Sequence, residues 1–579
     1  MKISLKYIIS NLLLLMIVVN TNAQKKVENI GSEVVNVVKP YVATLSDAFK
    51  IKEVPRLNDS EISKKIPIQY NIFSVPVAST FSPAKGVASN LEPIAQDLFY
   101  KNYLSIGLGS YNSANVDLFI NHNVAENQII GAMLRHNSSQ GEIENIDLNN
   151  QFYDTDVELA YENNQQTYSF KSNIGFENKV YNWYGLPADF ALNLTPIDKQ
   201  NLLNSINPTH TFSGFNAEGN VTFKDNIFKE MNIDWNRFWD NYGSQENRFV
   251  LKPSFEVVIS DKIIQTNVNL DYVTGNFKNT AFDARYGIVN IGLNPNYVYN
   301  KDDLSVNLGV NLVLSADNIN TKNKFFAYPK IKISYKVVGD YMIAFGGLEG
   351  DLNQNSYRDF AHENPFISPN LLIAPTDLQY NLNAGIKGKL SDLIAYNVSG
   401  FYVNEKNKAL FRSNDYSETI GNSNFGFGNS FQVVYDNVKT VGLKGELKAT
   451  FSKNIDFNIS GIFNNFSNEF EQKVWNVPQL QLQSSVNFIV SEKWFGGINL
   501  FYVGERKDFQ VDLNNIKPNN IKTLNAFFDI NCNVGFNYTK RLTAFLKANN
   551  IANQGYQKWL NFPVQQFQLV LGAAYKFDF

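Results

Sequence analysis

From Gln566 to the end of the chain, apolar side chains fall on every odd position: Phe567, Leu569, Leu571, Ala573, Tyr575, Phe577 and Phe579. Gln566, Gln568, Gly572, Lys576 and Asp578 take even ones. A two-residue period gives a strand one apolar face and one polar or small face. The alternation recurs upstream, where Ile331, Ile333, Tyr335 and Val337 interleave with Lys330, Lys332, Ser334 and Lys336. Val441, Leu443, Leu447, Ala449 and Phe451 interleave with Lys444, Glu446 and Lys448, and Phe528, Ile530, Cys532, Val534 and Phe536 stand against Asp529, Asn531, Asn533 and Asn537. In a soluble sandwich such strands would face a core. A strand of this length that ends the chain on an aromatic residue is also what a transmembrane β-barrel needs, with Tyr575, Phe577 and Phe579 as its carboxy-terminal insertion signal. A lysine on the lipid face at mid-membrane depth costs about 2–4 kcal/mol. The charged face is therefore expected to line the lumen, making Lys330, Lys332, Lys336, Lys444, Glu446 and Lys448 lumen-facing candidates and turning Cys532 toward lipid.

The pattern begins near Asn102 and runs to the end, with tight polar turns at Glu162–Gln165, Ser260–Lys262, Asn300–Asp303, Ser452–Asn454 and Tyr538–Lys540. Longer irregular stretches fall at roughly 177–209, 351–377, 406–439 and 504–520. Short periplasmic turns and long extracellular loops are the asymmetry of an outer-membrane barrel, and the spacing predicts about 22 antiparallel strands over residues 101–579. Residues 227–246 and 406–439 leave that count open by two. Before the barrel, Pro40, Pro55, Pro67, Pro76 and Pro83 interrupt residues 24–100. Proline cannot donate to a sheet ladder, so this is expected to be an extended periplasmic or lumen-threading segment. Within it Glu33–Val38 is a β-prone run, suited to adding to the edge of a partner's sheet or to standing as a local strand.

The amino terminus assigns a compartment. Lys2 and Lys6, the apolar run Leu12–Val19 and the small residues up to Ala23 read as a signal peptide over residues 1–23, cleaved after Ala23 on export. Gln24 rather than a cysteine stands immediately after that site, which argues against a lipoprotein, and Cys532 has no partner in the chain for a disulfide. With 14% aromatic and 18% charged residues the chain shows no long apolar span after the signal. A barrel hides its membrane signal in this way, because alternating faces cancel. The net charge of −3 gives no reason to expect nucleic acid as a partner.

Thr440–Leu443 with Glu446–Leu447, then Val477–Leu480, then Tyr502–Arg506, resemble the carboxy-terminal barrel strands of TonB-dependent receptors. Asn550–Asn553 with Tyr556, Trp559 and Phe562–Pro563, followed by the strand holding Gly572, Tyr575 and Phe577, is similar to the family's final hairpin. The resemblance implies a 22-stranded barrel in a Gram-negative outer membrane, and the loops and signal are similar to Bacteroidota members. It also implies a plug domain, and here the chain departs. Fewer residues separate Gln24 from the first strand than that domain takes, and its Gly-rich motif is missing. Glu33–Val38 could be a relic of a TonB box, but with no plug for it to pull on, TonB as a partner is doubtful.

Catalytic chemistry finds little support. His122, His136, His210 and His362 are scattered and lack ligand spacing, so neither a metal site nor a cofactor is expected. His136-Asn137-Ser138 tempts one toward a hydrolase, but adjacency in sequence is not hydrogen-bond geometry. Trp183, Trp235 and Trp239 fall near proposed extracellular strand ends, as stacking platforms for a ligand or as a membrane-interface girdle. Two functions remain. One is a plugless outer-membrane barrel for ligand binding or passage. The other is a non-transporting accessory subunit of a machine for barrel assembly, secretion or surface-lipoprotein handling. The partners expected are outer-membrane lipids, the barrel-assembly machinery that inserts it, and surface lipoproteins or other outer-membrane subunits.

Overall fold

The structure, a computed structural model, describes residues 100–140, 143–224, 226–278, 284–415, 424–452, 454–510 and 520–579. The signal peptide with its Ala23 site and the segment containing Glu33–Val38 lie outside the described residues.

Twenty-two strands, from Asn102–Gly109 to Gln568–Phe577, form one antiparallel sheet in which each strand pairs with the barrel strands before and after it. The sheet closes on itself: Asn102 stands opposite Phe577, Ile106 opposite Ala573 and Gly109 opposite Val570. Closure leaves no edge with unpaired backbone groups, a condition hydrocarbon imposes on any sheet that spans it. The expected fold class and strand number are both borne out.

Alternation decides which way each side chain points. Ile174, Leu308, Ile333, Leu443 and Leu571 are each exposed by 46–66%, an apolar exterior of the kind lipid covers. On the other face, rings lie down over glycines. Phe401 stands opposite Gly442, Phe495 opposite Gly535 and Phe545 opposite Gly572. A Cβ on any of these glycines would come within 2.2 Å of its partner ring, so the missing side chain is what lets the ring rest flat on the neighbouring strand.

The two ends of the barrel differ. At one end the connections are two to four residues long, and this end also carries the start of the first strand and the end of the last. All five tight turns expected from the sequence lie there. At the other end the connections run from three residues up to the 26 of 183–208. The expectation of irregular chain across 406–439 is corrected. Ile394–Ser413 and Phe431–Ser452 run into that stretch from both sides, with 20 and 22 residues. A bulge between Glu405 and Lys408, with Asn407 at φ 56°, inserts an extra residue there. The bulge breaks the two-residue period without ending the strand. Residues 227–246 likewise resolve into the strand Phe228–Asp240 and a tight connection holding Gly243 at φ 85°.

Candidate functional site

The long loops fold inward and pack on one another. Residues 183–208 follow the fifth barrel strand, 354–375 the thirteenth and 550–567 the twenty-first, so they approach from three sides of the ring. They meet in a knot of aromatic rings. Phe366 stacks on Phe562 at 4.0 Å, Tyr184 lies 4.9 Å from Phe562 and 5.6 Å from Phe366, and Phe431 and Trp559 pack alongside. The Tyr184 hydroxyl donates to the Pro563 carbonyl at 2.9 Å, and the Trp183 indole donates to the Phe366 carbonyl at 3.2 Å. Gly185 makes the approach possible, because a Cβ there would sit 2.3 Å from the Phe562 ring. Around this knot, among the described residues, 25 buried apolar side chains form one cluster, drawn from the loops and the adjoining strand ends. A loop alone cannot bury its aromatics. Several loops folded together make a roof.

The strap 354–375 reaches across to the wall on the far side. Its helix Tyr357–Glu363 starts where Ser356 Oγ accepts the Asp359 amide at 3.0 Å and Glu246 accepts the amides of Tyr357 and Arg358, a capped start for an otherwise marginal helix. The Arg358 guanidinium donates to Glu177 at 2.6 Å, and His362 Nε2 lies 2.7 Å from the other Glu177 oxygen. Arg248 on the wall grips Asp271 through two nitrogens and donates to Asp359 at 2.9 Å. The Tyr357 hydroxyl donates to Asp240 at 2.6 Å, and His210 sits 3.2 Å from the same carboxylate. Below the helix lies a cavity of about 550 Å³ whose lining includes Lys171, Glu218, Asp234, Arg248, Lys252 and Arg358. Its size falls in the range of small-molecule sites, yet no aromatic side chain lines it. A second cavity of about 260 Å³ is lined by Asn311, Lys330 and Glu349, among others.

Near the roof's edge, the hairpin Arg506–Phe509 and Ile521–Leu524 buries two charges. Asp508 accepts the amides of Ser413 and Phe509 and the Asn476 side chain, but burial still pushes its carboxyl up to about 6. Arg506 donates to the carbonyls of Gln557 and Lys558. Burial pulls the Lys558 ammonium down to about 8.

Of the residues singled out from the sequence, Lys330 lines the smaller cavity, Lys332 reaches Glu349 at 3.1 Å and Lys336 reaches Asp340 at 3.2 Å. Lys444, Glu446 and Lys448 stand opposite Ser399, Asn397 and Ala395 on one neighbouring strand and Ile462, Ser460 and Asn458 on the other. Trp183 is fully buried against His210 at 4.3 Å and Phe425 at 5.3 Å, inside the roof. Trp235 is 38% exposed beside Phe215, and Trp239 is half-buried. Tyr575 and Phe579 are exposed, and Phe577 stacks on Tyr575 at 6.0 Å. His136 does lie 3.0 Å from Ser138 Oγ, but Thr155 rather than a carboxylate holds its other nitrogen, so no relay is built. Sequence reasoning missed Glu177, Arg358, Phe366 and the roof role of Phe562. The signal was there: aromatic-proline pairs such as Pro365-Phe366 and Phe562-Pro563 inside loops have no local surface to cover them.

A closed barrel of 22 strands, with short turns at one end and folded loops at the other, is the architecture of the outer-membrane receptor barrels. The ferric-catecholate import receptor Fiu of E. coli K12 superposes with a TM-score of 0.61 at 8% identity, over 83% of this chain and 82% of that one. The FrpB iron transporter of Neisseria meningitidis gives 0.62 at 12%, over 83% of each chain. The siderophore receptor PirA of Acinetobacter baumannii gives 0.60 at 11%, over 82% and 80%. At such identities the likeness is one of fold. No protein-family model and no curated sequence matches the chain.

Proposed function

We propose that this chain is a receptor-like outer-membrane barrel that binds or passes a polar ligand, with its own loops as the gate. The observation that carries this reading is the roof folded over a charged cavity inside a receptor-type barrel. The loop end faces outward in this reading and the short turns face the periplasm. Tyr575, Phe577 and Phe579 are offered to the barrel-assembly machinery. The cavity lining, amide and charged rather than aromatic, favours a polar solute over an apolar one. The test is ligand-dependent conductance of the purified protein in planar bilayers. A barrel that neither conducts nor binds any polar solute from a library of growth-medium components overturns the proposal.

A second reading gains from how tightly the roof is packed. Exposing the buried apolar side chains that the loops contribute to the cluster, at about 1.5–3 kcal/mol for each large one, would cost tens of kcal/mol. A roof that never opens suits an accessory subunit held in an outer-membrane machine with surface lipoproteins. Gentle purification from native membranes separates the two, since stoichiometric companions favour the subunit and a lone barrel with ligand-gated conductance favours the receptor.

A further inference from the structure

We propose that the helix Tyr357–Glu363 is an autoinhibitory strap, and that Glu177 is the latch that holds it across the lumen. The inference rests on the loop-gate reading and names the contact that keeps the gate shut.

The strap starts from the thirteenth barrel strand, Met342–Asn353, but its helix is fastened to the fifth, seventh and eighth. Its two faces are held differently. Tyr357, Phe360 and Ala361 enter the aromatic cluster, while Arg358, Asp359 and His362 meet the wall. Apolar packing is non-directional and tolerates small shifts of a helix along the roof. Charged hydrogen bonds fix position, because a guanidinium and a carboxylate need short distance and alignment. Position along the wall therefore comes from the charged face.

Among those contacts Glu177 is distinctive. Its side chain is almost wholly buried in the wall, its two oxygens are shared between Arg358 and His362, and Lys179 lies 3.8 Å away on the same strand. The other anchors have closer wall partners: Arg248 keeps Asp271 at 2.7 Å, Asp240 keeps His210 at 3.2 Å, and Glu246 keeps the Tyr286 hydroxyl at 2.6 Å. Glu246 meets the strap through backbone amides and shares one oxygen with the Tyr286 hydroxyl, whereas Glu177 gives one oxygen to each of two strap side chains, Arg358 and His362. Ser356, Arg358 and Asp359 also line the 550 Å³ cavity, so the strap that the latch holds is the cavity's ceiling.

Conductance of the full-length protein in planar bilayers tests this, with folding checked by heat-modifiable migration on gels. Glu177→Gln keeps the shape and removes the charge. It is expected to raise the frequency of open events about tenfold, as losing roughly one tenfold step of closed-state preference implies. Glu177→Asp is expected to give an intermediate effect, and Glu177→Gln with Arg358→Gln is expected to match Glu177→Gln, since the single change already breaks the ion pair between them. Asp508→Asn, which alters the roof's edge away from the strap, is expected to leave the frequency unchanged. The latch is overturned if Glu177→Gln stays as closed as the parent while a variant with 356–364 replaced by a glycine-serine linker opens. It is also overturned if that linker variant stays closed, or if Asp508→Asn opens as readily as Glu177→Gln. Ligand binding measured on the same preparations tells these results apart from a failure of the receptor reading, because a latch that fails leaves binding intact.

Discussion

The wall and the roof are built on opposite plans within one chain. In the wall, apolar side chains such as Leu443 and Leu571 point out, polar ones point in, and the strength lies in backbone ladders between consecutive strands. Only the closing pair, Asn102–Gly109 with Gln568–Phe577, is distant in sequence. In the roof, apolar side chains point in, and the contacts join residues far apart: Tyr184 to Pro563, Trp183 to Phe366, Gln565 to Ser139. The wall turns its apolar face outward. The roof is a small water-soluble core set on its rim. Damage should therefore read differently in the two. A truncated side chain on the wall's outer face is replaced by lipid, whereas one in the roof leaves a cavity.

The largest effect is expected at the knot. Phe562→Ala should loosen the roof by about 3–5 kcal/mol, the usual cost of a buried phenylalanine, seen as an earlier urea transition in the fluorescence of the buried Trp183 and Trp475. Leu571→Ala on the outer wall should leave that transition in place. Equal shifts from both would erase the distinction between the two plans.

Acidity separates roof from wall next. The Asp508 carboxyl is raised from its ordinary 3.8 to about 6 by burial, so the folded roof holds this proton more tightly than the unfolded chain does. The stabilisation is complete below about pH 4 and is lost as pH rises through about 6. Across that window the loss amounts to at most roughly 3 kcal/mol. Lys558, lowered to about 8, has the opposite sign and acts only at higher pH. Urea titrations between pH 4 and 7, followed through Trp475, which lies 6.1 Å from Phe509, should show this slope. Asp508→Asn should flatten it, and an unchanged slope in that variant would remove Asp508 as the cause.

Legibility divides along the same line. The wall could be read from residues such as Lys330–Val337 because a strand states its two environments every two positions, and the turns at 260–261 and 302–303 punctuate it with short polar runs. Reading failed at 406–439, where the Glu405–Lys408 bulge interrupts a strand that continues. The roof has no period at all. Trp183 looked like an interface aromatic, since nothing near it in sequence announces Phe366 or Asn429, which hold it from loops roughly 180 and 250 residues away. Glu177 carries the alternation of its own strand, and its partners lie on another loop.

Within the wall, glycines opposite rings should matter more than their size suggests. Gly442→Val and Gly572→Val would drive Phe401 and Phe545 off the neighbouring strand at about 1–3 kcal/mol each, read as a lower temperature for loss of heat-modifiable migration. The same change at Gly445, which has open space around it, should cost little. If all three behave alike, ring-on-glycine packing contributes nothing to the wall.

The smallest effect on stability, and the most direct check of which side is which, comes from single cysteines in the Cys532→Ser background. Lys330, Lys332, Lys336, Lys444 and Lys448 are proposed to face the lumen, where water and membrane-impermeant maleimides can reach once the short-turn end is open to buffer. Ile333, Leu443 and Leu447 alternate with them and would lie in the lipid or detergent belt, with Ile333 and Leu443 largely exposed on the outer face. Each substitution sits on a strand whose ladder does not depend on that side chain, so folding should change by well under 1 kcal/mol, as surface changes usually do. Labelling in opened outer-membrane fragments should mark the lysine set and spare the apolar set, and a lipid-soluble maleimide should reverse the order. Equal labelling of both sets by both reagents would mean that the wall does not separate water from lipid, and the contrast between wall and roof would fall with it.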